Sequence, residues 1–155
     1  ASFRAGEVDK FYLCLLDGRL PQDLLVVDAP LARAAAGQRR LVEVSSEGKP
    51  ALTRFRRRET LADCTCAEAE LLTGRTHQIR VHAAHLGMPL AGDDKYGERS
   101  AVSEWRRRGL RRIFLHAHRM VCPRPDGTSL ELSAPLPDDL RQVLDDLTQA
   151  DPQRD

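Results

Sequence analysis

The densest polar stretch of the chain is Thr73-Gly74-Arg75-Thr76-His77-Gln78-Ile79-Arg80-Val81-His82. Its side chains are of the kinds that hold anions: guanidinium groups, hydroxyls, an amide and imidazoles. A turn at Thr73-Gly74-Arg75, with Thr76 as N-cap, opens a helix at this point, and free N–H groups at such an end favour a carboxylate or phosphate. With Arg75, Thr76 and His77 at the helix start and Arg80 one turn further in, one anion meets several donors together. The simpler alternative is a capped helix whose His77, Gln78 and Arg80 face water. His77, His82 and His85 follow an H-x4-H-x2-H spacing but lack the acidic residue of a zinc hydrolase motif. His82 shares a face with Ile79 and Leu86, which favours a hydrogen-bonded core histidine over a metal ligand. No metal site is expected.

The elements that must carry this stretch can be read from its surroundings. Residues 10–16 form a short apolar run closed by Asp17-Gly18, a buried strand ending in a turn. Leu24 to Val27 and Arg40 to Val44 are further strands, the second followed by the turn formers Ser45 to Pro50. Thr53 and Phe55 alternate with Arg54 and Arg56, as in a strand with one wet side. Arg54, Arg56, Arg57 and Arg58 fit a phosphate strip or an exposed sheet face equally well. Leu61 to Leu72 reads as the strand that leads into the polar stretch. Beyond it, Gly87 and Pro89 stop the helix, and Gly92 to Gly97 form a loop. Ser100 to Arg108 is a short arginine-rich helix, Ile113 to Val121 and Ser129 to Ser133 are strands, and an amphipathic helix follows Pro137. Closely spaced strands outnumber helices, so an α+β fold with a largely antiparallel, mixed sheet flanked by helices is expected.

At 155 residues, 41% hydrophobic and 30% charged, the chain has the size and composition of one folded domain, residues 1–149, with a tail at 150–155. It has no apolar run long enough to cross a bilayer. The net charge of +1 hides a partition: residues 31–124 hold 19 basic and 10 acidic side chains, and residues 125–155 hold 2 and 8. Arginine supplies 21 of the 24 bases, the side chain that forks onto phosphate and stacks on bases. This is a mild signal for nucleic acid, set against a merely arginine-biased surface. Cys14, Cys64, Cys66 and Cys122 show no CxxC spacing and read as reduced structural thiols in the cytoplasm. The chain opens on Ala1 without a methionine, which points to a natural start upstream.

The run from Leu72 to His82, continued by His85-Leu86-Gly87, Pro89, Gly92-Asp93 and Tyr96-Gly97, closely resembles the signature of the RluA-type pseudouridine synthases. Lys10-Phe11-Tyr12 with Gly18, Gly48-Lys49 with Ala51 and Thr53, Leu115-His116-Ala117 and Ala134-Pro135 resemble further segments of that family. The resemblance spans about residues 8–147, and the wording of Val44 to Pro50 and of Gly109 to Leu115 is most similar to the branch acting on large-subunit ribosomal RNA.

The resemblance implies a pseudouridine synthase fold, with this chain as the C-terminal part of its catalytic domain. It also implies isomerisation of selected uridines of 23S ribosomal RNA to pseudouridine, without metal or organic cofactor, after the target base is flipped from its stack. The partner is then ribosomal RNA, the protein a cytoplasmic monomer without membrane contact. Tyr12 matches the tyrosine that faces the uracil, Arg80 the base paired with the nucleophilic aspartate, and Leu115 an apolar wall of the uracil pocket. Arg75, Thr76, His77 and Gln78 fall where RNA contacts are expected. The aspartate itself belongs to a His-Arg-Leu-Asp motif about thirty residues before the tyrosine, and no such motif occurs in this chain. Asp93 and Asp94 lie in a loop that the family does not use for the nucleophile. The chain alone is therefore expected to be a silent RNA-binding fragment, and the enzyme to need an upstream segment.

Overall fold

In residues 7–34 and 41–150, which the computed structural model describes, the elements run β1 (Asp9–Leu16), β2 (Leu24–Asp28), β3 (Leu31–Arg33), β4 (Val42–Val44), β5 (Leu52–Leu61), β6 (Cys64–Leu71), α1 (Gln78–His85), α2 (Arg99–Arg107), β7 (Leu115–Pro123), β8 (Ser129–Ser133) and α3 (Asp138–Ala150). Six strands form one sheet in the order β2-β5-β6-β1-β7-β8, and β3 and β4 make a separate hairpin. Every pairing is antiparallel, so the α+β expectation is met.

Period-two alternation sends side chains to two cores. Cys14 and Leu16 of β1, Phe55 of β5 and Ala67 and Ala69 of β6 face α1, where Ile79 and Ala83 close the layer. Leu15, Leu61, Cys64 and Cys66 face the opposite way, against Trp105 of α2, Phe114 and the Leu140, Val143 and Leu147 stripe of α3. The sheet is thus covered by helix on both faces near its centre. Burial in these cores raises the thiols of Cys64 to about 12 and Cys66 to about 11, so neither is a thiolate near neutral pH.

Three local expectations are corrected. The segment Leu61 to Leu72 is not one strand: Leu61 ends β5, Ala62 turns the chain at φ 53°, and β6 begins at Cys64. The strand at Arg40 to Val44 is β4, three residues from Val42, with Arg40 outside the described residues, and its partner β3 was not expected. Thr76 does not cap α1. His77 takes that place in the left-handed region, φ 54°, and makes no side-chain cap. The expected final helix extends through Ala150, and residues 151–155 of the expected tail lie outside the described residues.

Both outer strands leave apolar side chains in water. Leu24 and Val26 of β2 and Leu130 and Leu132 of β8 are exposed, between 40% and 49%. Registers put the first pair on the α2 and α3 side and the second pair on the α1 side, at opposite ends of the sheet.

Candidate active site and nucleic-acid interface

Tyr12 lies in β1 between Ala69 of β6 and Ala117 of β7. The strand partners on either side place only methyl groups beside the half-buried ring. Leu115 sits diagonally from it, opposite Cys14, and both Tyr12 and Leu115 pack against the core beneath α1. A bulge in β7 breaks the register between the Phe11–Arg119 and Tyr12–Ala117 pairs. The extra residue brings His118 and Arg119 together on Glu68, at 2.6 and 3.4 Å, on the far face of the sheet. Those two bases, with a hydrogen bond from His118, hold the Glu68 carboxyl below its ordinary range despite partial burial.

Arg80 projects from α1 to the carboxylate of Asp93 in the Gly92 to Gly97 loop. Its Nε and Nη2 donate to Asp93 Oδ2 and Oδ1 at 3.0 and 2.6 Å, a bidentate pair. Asp93 Oδ1 also accepts the N–H groups of Lys95 and Tyr96 at 2.9 and 3.0 Å. Arg80, together with these N–H donors, keeps the Asp93 carboxyl below its usual value although its side chain is fully buried. Asp93 is therefore a buried brace for Arg80, held by four donors. The Arg80 fork keeps Nη1 without a protein partner among the described residues.

Gln78 departs from its expected place on an RNA surface. It is 2% exposed, and its amide is spent inside the protein. Oε1 accepts from Thr73 Oγ1 and the Arg75 N–H at 2.7 and 3.0 Å, while Nε2 donates to the Leu52 carbonyl and Thr53 Oγ1, each at 2.9 Å. The relay continues to His82, which contacts Thr53 Oγ1 through Nδ1 at 2.7 Å and donates Nε2–H to the Ala29 carbonyl at 2.9 Å. Both ring nitrogens are thus used by protein, as a core histidine requires.

The remaining members of the polar stretch diverge instead of meeting one anion. His77 turns inward, its Nδ1 2.7 Å from Tyr96 Oη, which also accepts the Val42 N–H at 3.0 Å. Burial and the nearby Arg80 and Lys95 charges lower the His77 pKa, so the ring is neutral at neutral pH. Arg75 and Thr76 point the other way, into an open cleft of about 620 Å³ between the β3–β4 hairpin and the Gly48-Lys49 turn. Arg33 and Lys49 also line it, so its rim is basic. The left-handed His77, at φ 54°, lies between the two groups, at the junction of Thr76 and α1. Arg80 opens onto a second depression of about 260 Å³ with Arg106, Arg111 and Arg112. The arginine strip of β5 is half consumed: Arg54 pairs with Glu70 at 2.9 Å, and Arg57 bonds Asp23 and the Leu20 carbonyl.

The RNA pseudouridylate synthase family matches over residues 1–85. The chain is 40% identical over 151 residues to the ribosomal large subunit pseudouridine synthase C of Vibrio cholerae, covering 97% of this chain and 47% of that protein. It is 42% identical over 144 residues to the protein of the same name from Yersinia pestis, covering 91% and 45%. Among solved structures, human RNA pseudouridylate synthase domain containing 1 aligns with a TM-score of 0.72 at 28% identity, over 99% of this chain and 71% of that one. Human RNA pseudouridylate synthase domain containing 4 aligns with a TM-score of 0.73 at 25% identity, over 94% and 64%. The chain spans about half the length of the curated relatives it matches.

Proposed function

The chain belongs to the RNA pseudouridylate synthase family, and from that premise we propose that it forms the C-terminal part of the catalytic domain of an enzyme that isomerises uridines of large-subunit ribosomal RNA. In that reaction the bond from the sugar to N1 breaks, a bond from the same sugar carbon to C5 forms, the C5 proton leaves and N1 takes one up. Product and substrate are therefore isomers, with no net oxidation or reduction, so positioned side chains suffice. The observation that carries the reading is Tyr12 between Ala69 and Ala117, with Leu115 as its apolar neighbour. A flipped uracil stacks on such a ring for roughly 1–3 kcal/mol, and the phenol oxygen is the group this reading assigns to the C5 proton transfer.

In this reading the nucleophilic carboxylate comes from a segment bearing the His-Arg-Leu-Asp motif, and Arg80, fixed from one side by Asp93, offers Nη1 to hold it ionised. Arg75 and Thr76 meet RNA phosphates in the cleft they share with Lys49, while His77 and Gln78 shape the loop behind them. The partner is ribosomal RNA and the working form a cytoplasmic monomer. No helix of the described residues is long and apolar enough to span a membrane.

The test is pseudouridine formation by a full-length enzyme carrying this domain. Arg80→Ala is expected to abolish turnover with the fold retained, and near-normal turnover removes Arg80 from the site. Tyr12→Phe is expected to keep RNA binding and slow the reaction. The 155-residue chain alone is expected to release no tritium from RNA labelled at uridine C5, and measurable release overturns the need for a second segment.

A further inference from the structure

We infer that the depression beside α2 is a second RNA-binding surface, a phosphate track that leads away from Arg80 and is separate from the Arg75 and Lys49 cleft. The inference rests on the reading of this chain as part of an RNA-modifying enzyme. Its basis is the way arginines and acids are sorted on α2. Trp105 anchors the inner face, 3% exposed, with its Nε1–H donating to Asp17 at 3.0 Å. On the outer side Glu104 takes both nearby arginines, Arg107 at 2.9 Å and Arg108 at 3.5 Å. Arg99 and Arg106, two turns apart on a third side, have no acidic partner among the described residues, and neither does Arg111 in the loop that follows.

These unpaired groups line two depressions that share Asp94, Val102 and Arg106, with volumes of about 260 and 480 Å³. The first includes Arg80, so the track begins at the proposed site. Seven residues of helix separate Arg99 from Arg106 by about 10 Å, a spacing that needs an extended polyanion to engage both. The floor is rigid. Arg112 donates two bonds to Asp139 of α3 at 2.8 and 3.0 Å, and Gly92, at φ 79°, has no Cβ to block the Arg112 carbonyl, which would lie 2.5 Å from one. Exposed guanidinium groups that outnumber Asp94, the one acid in both depressions, suit phosphodiesters, which accept forked hydrogen bonds and release counterions on binding.

The experiment measures binding of a fluorescein-labelled, uridine-containing hairpin RNA to the chain by anisotropy across a salt series. Arg106→Ala with Arg111→Ala is expected to weaken binding about tenfold and to flatten the plot of log affinity against log salt by about 1.4, the loss of two single-strand phosphate contacts. Arg107→Ala with Arg108→Ala removes the same charge from the same region and is expected to leave both quantities within twofold of wild type. Equal effects of the two pairs, or none from the first, overturn the track while leaving the proposed enzyme standing. If wild type binds no RNA, the track fails, while the proposed activity is judged separately by turnover of the full-length enzyme. Displacement of the RNA by polyglutamate as readily as by unlabelled RNA assigns the groove to an acidic protein and overturns the inference.

Discussion

His82 shows how much one side chain can fix. Its neutral ring links α1 to β5 and to the Ala29 carbonyl, and burial lowers its pKa from the ordinary 6.5. The unfolded chain takes up that proton more readily, so stability is full above about pH 6.5, falls as the pH drops below it, and levels off once the folded-state value is passed. Urea midpoints should therefore be lower at pH 5.5 than at pH 7.5. His82→Gln should reduce that difference, leaving the part carried by His77, which is shifted the same way; an unchanged difference means the ring contributes none of it. Asp93→Asn tests the other buried charge: losing one partner of the Arg80 pair should cost about 3 kcal/mol in denaturant unfolding. The core role of His82 was legible from its neighbours Ile79 and Leu86. Its partners were not, because Thr53 and Ala29 lie 29 and 53 residues away and only the folded chain brings them near. Asp93 was hidden for the same reason, inside a Gly-Asp-Asp-Lys-Tyr-Gly run whose composition says only loop.

Among the elements, those with long alternation or a sustained apolar stripe were readable. β1, β5, β8 and α3 fall within a residue or a few of their expected bounds, because five to thirteen positions of pattern outweigh local noise. β3 spans three residues, too short for any period, and exists because the Gly48-Lys49 turn reaches back to it. Leu31 N–H donates to the Lys49 carbonyl at 2.9 Å, and Lys49 N–H to the Leu31 carbonyl at 2.8 Å. A Cβ at Gly48 would stand 2.4 Å from the Leu31 carbonyl carbon, so only glycine permits this approach. Gly48→Ala should separate the turn from β3, widen the cleft that Lys49 shares with Arg75, and weaken RNA binding. Amide exchange at Leu31 and Lys49 reports it directly; unchanged protection would mean the turn holds without that contact. The start of α1 was misplaced by one residue because a left-handed histidine has no sequence signal, whereas Thr76 has the type of an N-cap.

For the whole molecule, the sheet is well covered in the middle and bare at both margins. On α3, Leu140 is fully buried among Leu15, Trp105 and Phe114, and Leu140→Ala should cost about 2–5 kcal/mol in unfolding free energy. A loss below 1 kcal/mol would show that α3 contributes little to the second core. The chain-long charge partition visible in the sequence acquires a location, since Arg33, Lys49 and Arg75 line one basic surface and Arg99, Arg106 and Arg111 another. What sequence could not supply is the division of one arginine-rich middle into two surfaces, which depends on where the β3–β4 hairpin and α2 lie in the folded chain. The outer strands β2 and β8 carry a different consequence. Among the described residues each has a row of backbone hydrogen-bonding groups with no strand partner beside two exposed apolar side chains, the arrangement on which one chain can grow another. Loss of soluble protein on storage should therefore accelerate with concentration while the unfolding midpoint stays fixed, and Leu130→Lys with Leu132→Lys should slow it, so that shelf life is governed by collision and not by folding free energy.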